Sequence, residues 1–480
     1  MSEPITRYKN FINGQFTALT GAEIENYNPS NQRLLSTIPQ SNEQEVNHAL
    51  DCAKDAQLAW GLRPAIERAG FLHKIAQGIR KNASELALCI TKEQGKVLSL
   101  AEVEVNFTAD YLDYMAEWAR RIEGEVINSD RAGENIFLFR KPLGVVAGIL
   151  PWNFPFFLIA RKMAPALIMG NTIVIKPSEE TPNNCYEFAK IVAESGLPAG
   201  VFNVVGGDGG GVGHQLTSDK RVDMISFTGS VDTGSRIMAT ASQNITKLNL
   251  ELGGKAPAIV LDDADIDLAV KAITASRVIN TGQVCNCAER VYVQPNVADE
   301  FISKLKVSME QVTFGDPLLQ DNLDMGPLVN KIGLDKVAKM VETAKIQGAE
   351  VITGGHIADL GAGYHYKPTV LANCSNDMEI MNKEIFAPVL PIQIVSDLSE
   401  AITIANASDY GLTSSLYTRD ISKAMQAVNQ LSYGETYINR ENFEAMQGFH
   451  AGTRKSGIGG ADGKHGLYEY SHTHVVYIQA

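Results

Sequence analysis

A cysteine and a glutamate in separate segments of the chain could together carry out chemistry on a carbonyl group. Cys285 lies in the segment 280–288, which reads NTGQVCNCA, and Glu251 lies in the segment LELGGK at 250–255. A thiol can attack a carbonyl carbon, and a carboxylate can activate the water that hydrolyses the resulting thioester. The pair therefore predicts an active site, if the fold brings the two segments together.

Each of the two residues also has an ordinary structural interpretation. A lone cysteine such as Cys285 is more often an inert buried thiol, and a nucleophilic one needs a nearby cation, base or helix N-terminus. Glu251 stands between two leucines, which predicts a raised pKa suited to a general base, but it could also simply end a strand. The neighbouring Cys287 is interpreted as a packing residue or an oxidation partner.

Asn153 is a third candidate, since prolines flank it in the segment PWNFP at 151–155. Prolines restrict the backbone on both sides of the amide, and rigid placement is what an oxyanion-stabilising donor requires. An asparagine in a proline-rich turn can equally serve the turn alone. The segment after Cys287 offers no second Cys/His pair at zinc spacing, so we expect no metal.

Two α/β series would position these residues. From residue 147 to about 260, short apolar runs at 172–176, 201–205 and 223–227 alternate with helical patterns, which is typical of βαβ units around a parallel sheet. Residues 43–120 predict long helices that cover one face of it. A second series begins near Asp265 and predicts a separate domain that carries Cys285, with the active site in the cleft between the two.

Two segments fit neither series. Residues 125–140 predict a strand, a turn and a strand, and the tail HVVYI at 474–478 predicts another strand. Apolar strands without a core of their own must pair with something.

Composition excludes several classes of protein. The 480-residue chain has 45% hydrophobic and 20% charged residues, as expected of a globular protein with two or more domains. A net charge of −13 disfavours nucleic acid as a partner. We expect neither a secretory leader nor a membrane span, and six scattered cysteines predict a cytoplasmic location.

Together with PWNFP, the segments around Glu251 and Cys285 and the run IKPSE at 175–179 resemble the aldehyde dehydrogenase superfamily over essentially the whole chain. The resemblance implies an α/β fold: a modified Rossmann cofactor domain, a second α/β catalytic domain and a small β oligomerisation arm. It divides the chain into a NAD-binding domain at 1–124 and 141–250, a catalytic domain at 251–445, and an arm and tail at 125–140 and 446–480. It also implies a homo-oligomer, either dimer or tetramer.

The resemblance assigns roles to residues. Cys285 would be the nucleophile, Glu251 would activate water, and Asn153 would hold the oxyanion with the backbone N–H of Cys285. For the cofactor NAD it implies contacts from Trp152, Lys176, Ser178, Glu179, Gly209, Gly213, Gly229, Ser230, Glu384 and Phe386. A carboxylate at Glu179 would repel a 2′-phosphate and so favours NAD over NADP. Ala387 replaces a usual glycine.

For the aldehyde substrate, the resemblance implies contacts from Phe156, Arg161, Glu444 and His450. The segments 154–162 and 437–452 resemble the branch of the family that oxidises short hydroxyaldehydes, lactaldehyde and glycolaldehyde, although Thr453 departs from an aromatic residue usual there. Two alternatives stay open. One is a semialdehyde dehydrogenase of the succinate semialdehyde type, in which Arg161 binds a carboxylate, and the other is a catalytically silent structural protein on the same fold.

Overall fold

The computed structural model describes residues 5–18 and 21–480, and its two large sheets are both mainly parallel. The first sheet has eight strands, of which the central five are parallel and the outer ones antiparallel. In sheet order they are Gly457–Ile458, Lys247–Leu252, Met224–Gly229, Val145–Ile149, Thr172–Lys176, Phe202–Val204, Phe11–Ile12 and Gln15–Phe16. The alternation predicted from residue 147 onwards is confirmed.

Alternate residues of these strands build two cores, one on each face of the sheet. Val146, Ile173 and Ile175 belong to one apolar cluster, whereas Val145 and Val174 belong to another, as the two-residue period of a strand requires. The helices packed around the sheet are Glu43–Leu62, Ala65–Lys81, Ala83–Gln94, Leu98–Ala116, Phe157–Ile168, Asn183–Ser195, His214–Ser218 and Val231–Ala241.

The long helices predicted over 43–120 are present, but they do not all lie on one face. The helix Glu43–Leu62 starts with a capping box between Asn42 and Glu45. Its Val46 and Leu50 join the second cluster, whereas Leu72 and Leu112 from later helices join the first. The expectation of a single covered face was therefore wrong for this first helix.

The second sheet has seven strands, and only the edge strand Glu350–Thr353 is antiparallel to its neighbour. In sheet order they are Glu350–Thr353, Thr369–Ala372, Val389–Ile394, Ala288–Val293, Ala256–Val260, Thr413–Tyr417 and Glu435–Ile438. Helices at Ile266–Val278, Pro295–Glu310, Lys331–Ile346, Glu379–Asn382, Leu398–Asn406 and Ile421–Gln430 cover its two faces. The second α/β series is confirmed.

A separate three-stranded antiparallel sheet contains the segments that fitted neither series. Glu134–Pro142 is its central strand, flanked by Glu125–Asn128 and by the tail strand Ser471–Gln479. Val126, Tyr477 and Ile478 expose 78%, 65% and 50% of their surface. The tail strand thus finds its partner within the chain, and the sheet still presents apolar side chains outwards.

The remaining elements are short. Thr6–Arg7, Leu34–Pro39 and Glu23–Tyr27 form a small sheet, and Gly463–Glu469 is a helix. Single turns of 3₁₀ or π helix lie at Glu117–Arg120, Gly209–Gly213, Ile279–Gly282 and Arg454–Ser456. Within residues 5–18 and 21–480, no helix has the length and apolar character needed to cross a bilayer.

Candidate active site

A cavity of about 260 Å³ lies between the two large sheets and brings together the three residues that sequence reasoning placed at the centre. Cys285, Glu251 and Asn153 all line it. Other lining residues fall into an apolar group (Leu100, Val103, Phe107, Phe157, Phe443), a polar group (Arg161, Thr228, Asn286, Glu444) and a group from the predicted cofactor site (Trp152, Gly229, Ser230, Glu384, Phe386).

A run of left-handed backbone precedes Cys285. Asn280, Thr281 and Gly282 have φ angles of 48°, 61° and 73°. At Gly282 a Cβ atom would come within 2.5 Å of the backbone carbon of Ala387, so only glycine fits there. The hydroxyl of Thr281 donates to the carbonyl of Gly326 at 3.0 Å. These contacts keep a strained loop in one conformation and present Cys285, which is half-buried, to the cavity.

Asn153 is held from two sides. Its side-chain amide donates to the carbonyl of Gln283 at 3.0 Å, next to the Cys285 loop. Its own carbonyl accepts from Lys96 at 2.8 Å and from the amide of Asn280 at 3.1 Å. Lys96 is in turn paired with Glu104, and both side chains are fully buried. The amide of Asn153 is therefore rigidly placed beside the thiol loop.

Glu251 lies on the strand Lys247–Leu252 and faces cationic neighbours. Its Oε2 accepts from the Thr228 hydroxyl at 3.2 Å and lies 3.8 Å from a guanidinium nitrogen of Arg161. Burial by itself would raise the pKa of Glu251, but the charges of Arg161, Lys162 and His450 outweigh it and hold the pKa below its ordinary value. The raised pKa expected from the flanking leucines was wrong.

Arg161 is enclosed by carboxylates. It donates two hydrogen bonds to Asp462, one of them at 3.0 Å, and one to Glu444 at 3.2 Å. The residue is 4% exposed. Glu444 also accepts a hydrogen bond from the amide of Asn286, which is next to Cys285. The positive charge of Arg161 is thus neutralised by side chains of the protein.

His450 lies behind the cavity. In the part of the chain that the structure describes, the lining includes Glu444 and Arg161 but not His450. Its Nδ1 pairs with Glu435 at 2.8 Å. The ring is therefore paired with a carboxylate and does not line the open space.

Phe156 does not line the cavity, whereas its neighbour Phe157 does. Phe156 is fully buried in the core, with its ring 5.5 Å from that of Phe188. Since Phe157 precedes Arg161 by four residues, the two lie on the same face of the helix Phe157–Ile168, and Phe156 points elsewhere. The structure therefore does not bring Phe156 to the cavity, which Phe157 lines instead.

One part of the predicted cofactor site adjoins the cavity. The rings of Trp152 and Phe386 meet edge to face at 5.5 Å. Glu384 accepts a hydrogen bond from the backbone N–H of Gly254 at 2.8 Å, and burial beside Glu289 raises the pKa of Glu384 to about 7. A Cβ at Gly253 would come within 2.5 Å of Glu384, so close approach depends on glycine there.

Ser230 caps the helix Val231–Ala241, and its hydroxyl accepts from the N–H of Thr233 at 3.3 Å. The helix follows directly from Gly229, the last residue of the strand Met224–Gly229. Free backbone N–H groups at such a helix start can bind a phosphate.

The other part of the predicted cofactor site lies at the end of the strand Thr172–Lys176. The ammonium of Lys176 is 3.2 Å from the carboxylate of Glu179. Gly213 packs on Lys176, since a Cβ there would be 3.9 Å from the lysine side chain. Gly209 is exposed in the same glycine-rich turn, and the Ser178 hydroxyl accepts from the N–H of Glu180 at 3.3 Å. The structure gathers these residues beside one another.

Comparison with known proteins decides the family. The protein-family model described as "Aldehyde dehydrogenase family" matches residues 16–476 of this chain. The chain belongs to the aldehyde dehydrogenase family. It is 59% identical to lactaldehyde dehydrogenase of Escherichia coli K12, over the full length of both chains.

Solved structures of other family members agree with this fold. A crystal structure of lactaldehyde dehydrogenase from E. coli superposes with a TM-score of 0.98 at 58% identity, covering 99% of this chain and 100% of that one. A betaine aldehyde dehydrogenase from Staphylococcus aureus, crystallised with NAD⁺, superposes with a TM-score of 0.95 at 32% identity, covering 98% of this chain and 94% of that one. The fold is that of an aldehyde dehydrogenase, with a cofactor domain and a catalytic domain.

Sequence reasoning missed several residues of this aldehyde dehydrogenase site. Lys162 donates to the Thr228 hydroxyl at 2.8 Å, and its burial lowers its pKa to about 8. Glu435 and Asp462 complete the charge network, and Lys96 with Glu104 supports Asn153. Of these, only Lys162 carried a signal, since it follows Arg161 on the same helix. Within residues 5–18 and 21–480, no cluster of His, Cys, Asp and Glu is suited to a metal ion.

Proposed function

We propose that this aldehyde dehydrogenase oxidises a short hydroxyaldehyde, such as lactaldehyde or glycolaldehyde, to the carboxylic acid with NAD. The observation that carries the proposal is the single cavity lined by Cys285, Glu251 and Asn153. The 59% identity to a lactaldehyde dehydrogenase supports the class of substrate.

Each of the three residues has a defined task. Cys285 adds to the aldehyde carbon through its sulfur, and the amide of Asn153 with the backbone N–H of Cys285 stabilises the negative oxygen that results. Glu251 then takes a proton from the water that cleaves the thioester. Its lowered pKa keeps it in the carboxylate form that a base must have at neutral pH.

The cofactor residues fit NAD. Gly253 leaves room for the close approach of Glu384, and Lys176 with Glu179 offers a cation and a carboxylate to a ribose. Glu179 would repel a 2′-phosphate. When bound, NAD accepts the hydride of the substrate. We propose that Trp152 and Phe386 flank its position at the cavity, and that Lys176, Ser178, Glu179, Gly209 and Gly213 hold the distant half.

The polar side of the cavity favours a hydroxyl group over a carboxylate on the substrate. Arg161 is already paired with Asp462 and Glu444, and Glu251 lies nearby. A substrate carboxylate would have to compete with these carboxylates for Arg161, whereas a hydroxyl can hydrogen-bond with Glu444 and Asn286. The semialdehyde alternative is therefore disfavoured. The complete set of reactive residues likewise disfavours the silent structural protein.

We also propose that the three-stranded sheet is an oligomerisation arm, that the enzyme is a homo-oligomer of two or four chains, and that it works in the cytoplasm. Exposed apolar residues on the arm and six free cysteines support these proposals. The two large sheets and the separate three-stranded sheet support the proposed division into domains at 1–124 with 141–250, at 251–445, and at 125–140 with 446–480. The strand Gly457–Ile458 crosses that division, because it joins the first sheet.

An NADH-formation assay across lactaldehyde, glycolaldehyde, succinate semialdehyde and betaine aldehyde tests the proposal. We expect the highest kcat/KM with the two hydroxyaldehydes and no turnover by Cys285→Ala, which should still bind NAD. Cys287→Ala is the matched control and should keep most activity. Preference for succinate semialdehyde, or turnover by Cys285→Ala above a no-enzyme blank, would contradict the proposal.

A further inference from the structure

Three buried charged side chains have no task in the chemistry described so far. Glu289 is the second residue of the strand Ala288–Val293, and its carboxylate lies 2.7 Å from Arg277 and 2.8 Å from Lys255. Each of the three side chains is at most 1% exposed. A buried charge without a partner is costly, so each member of this network depends on the others.

Arg277 holds both ends of the loop that carries Cys285. Its Nη1 donates to the carbonyl of Ala288 at 2.9 Å, and its Nη2 donates to the carbonyl of Gly282. These two carbonyls flank the thiol at equal distance along the chain. Gly282 ends the left-handed run that precedes Cys285, so the guanidinium of Arg277 stabilises a strained backbone that would otherwise relax.

Glu289 holds the loop that carries the predicted cofactor residues Glu384 and Phe386. Its Oε2 accepts from the backbone N–H of Ile385 at 2.8 Å, and its Oε1 accepts from that of Phe386 at 3.0 Å. Phe386 has a φ of 60°, which is uncommon for an aromatic residue, so the carboxylate stabilises a second strained turn. The same Oε1 accepts from Arg277.

The two loops also contact one another directly. A Cβ atom at Gly282 would come within 2.5 Å of the backbone carbon of Ala387, so the backbones are packed together there. Lys255 strengthens the connection, because the preceding N–H of Gly254 donates to Glu384 at 2.8 Å. A shift of one loop should therefore be passed to the other through a continuous set of packed and hydrogen-bonded groups.

We propose that Arg277 and Glu289 are positioning residues that couple the cofactor site to the nucleophile. Their ion pair joins the loop of Cys285 to the loop of Phe386, so that the position of each loop depends on the other. The inference rests on the proposed function, since it takes Cys285 as the nucleophile and the loop of Phe386 as part of the NAD site. Damage at the thiol end of this connection should therefore weaken NAD binding.

The affinity for NAD, measured by calorimetric titration, tests the inference. Arg277→Met removes the hydrogen bonds to the thiol loop and leaves Glu289 paired with Lys255. We expect the Kd for NAD to rise at least about fivefold in this variant. Arg277→Lys keeps the positive charge but has a single nitrogen in place of the planar fork, so it should weaken NAD binding as well.

The reactivity of Cys285 supplies the second measurement. Alkylation by iodoacetamide in the absence of NAD, followed by mass spectrometry of the Cys285 peptide, reports how the thiol loop is held. Cys285 is half-buried, and a released loop would expose it more often. We therefore expect alkylation to accelerate at least about threefold in Arg277→Met and Arg277→Lys.

Arg68→Met is the matched control. Arg68 is another buried arginine, and it donates to backbone carbonyls outside both loops, at Gly61, Arg63 and Ile168. Urea titration should show that Arg68→Met destabilises the protein as Arg277→Met does. The Kd for NAD and the alkylation rate of Cys285 should nevertheless stay at their wild-type values in this control.

An unchanged Kd for NAD in Arg277→Met would overturn the inference, and so would an unchanged alkylation rate of Cys285. Wild-type affinity in Arg277→Lys would also overturn it, because the charge alone would then be sufficient. If Arg277→Met does not fold, Arg277→Lys is judged by the same two measurements. Neither measurement uses an aldehyde, so failure of the inference would leave the NADH assay of the proposed function unaffected.

Discussion

Lys96 donates a hydrogen bond of 2.8 Å to the backbone carbonyl of Asn153. The same ammonium pairs with Glu104, whose other oxygen accepts from the N–H groups of Phe156 and Phe157 at 2.9 and 3.1 Å. One buried ion pair therefore fixes both Asn153 and the first turn of the helix that carries Arg161.

Glu104→Gln should destabilise the protein and impair catalysis together. It leaves the buried charge of Lys96 without its ionic partner, for which we expect a loss of about 3–5 kcal/mol in the free energy of unfolding. Urea titration measures this loss. The control is Asp335→Asn, which breaks an exposed ion pair with Lys331 and should cost less than about 1 kcal/mol. Equal effects of the two variants would contradict the role assigned to the buried pair.

Glu251→Gln should trap the thioester. Without a carboxylate to activate water, we expect a burst of one NADH per active site followed by turnover slowed by about 10²-fold or more. Stopped-flow absorbance measures burst and steady state. Glu469→Gln, which alters the partner of Lys247 on the same strand as Glu251, should show no burst. An unchanged steady-state rate in Glu251→Gln would remove this residue from the mechanism.

Glu289 should govern stability in acid. Burial would raise the pKa of Glu289, but Lys255 and Arg277 lower it to about 2. Because the folded pKa lies below the unfolded one, the stabilisation is complete above about pH 4.5 and is lost as the pH falls towards 2. The free energy of unfolding of Glu289→Gln should therefore be lower at neutral pH and fall less steeply between about pH 4.5 and 2 than that of the wild type.

Glu289→Gln should also weaken cofactor binding. Glu289 accepts hydrogen bonds from the N–H groups of Ile385 and Phe386 at 2.8 and 3.0 Å, and Phe386 is one of the residues proposed to flank the cofactor. Calorimetric titration with NAD measures that effect. Glu310→Gln on an exposed helix is the control for both measurements. Parallel acid profiles for the wild type and Glu289→Gln would contradict the assignment.

Charges placed on the arm should prevent assembly. Val475 and Tyr477 lie on one face of the tail strand and are 41% and 65% exposed. The double variant Val475→Asp, Tyr477→Asp should therefore elute as a smaller species in light-scattering chromatography, because two buried charges at an interface are costly. Ile346→Asp alters an 86% exposed residue away from the arm and should leave the mass unchanged. A wild type that is already monomeric would contradict the proposal.

The sequence was sufficient to predict both α/β series, because strands such as Thr172–Lys176 and Val389–Ile394 carry apolar runs and the helices between strands carry apolar stripes. It also led to Cys285, Glu251 and Asn153, since their motifs are local. The prediction of Phe156 at the cavity was off by one residue, although the four-residue spacing between Phe157 and Arg161 already favoured Phe157.

What could not be predicted is the charge around the site. Asp462 contacts Arg161 from 301 residues away, and Glu251 meets the same guanidinium from the strand Lys247–Leu252. The pKa of Glu251 follows from such neighbours and not from its adjacent leucines. Local patterns cannot supply contacts of this range, because they depend on how the two large sheets come together.

The short strand Gly457–Ile458 pairs with Leu250 and Glu251, and Asp462 follows it closely. During synthesis on the ribosome, the strand that carries Glu251 therefore emerges some 200 residues before its edge partner does. Until that partner arrives, the nascent chain has an open sheet edge and an Arg161 that lacks its Asp462 partner, and the open edge favours association with other chains. The charge network around Cys285 and Glu251 becomes complete only after this later segment has been synthesised.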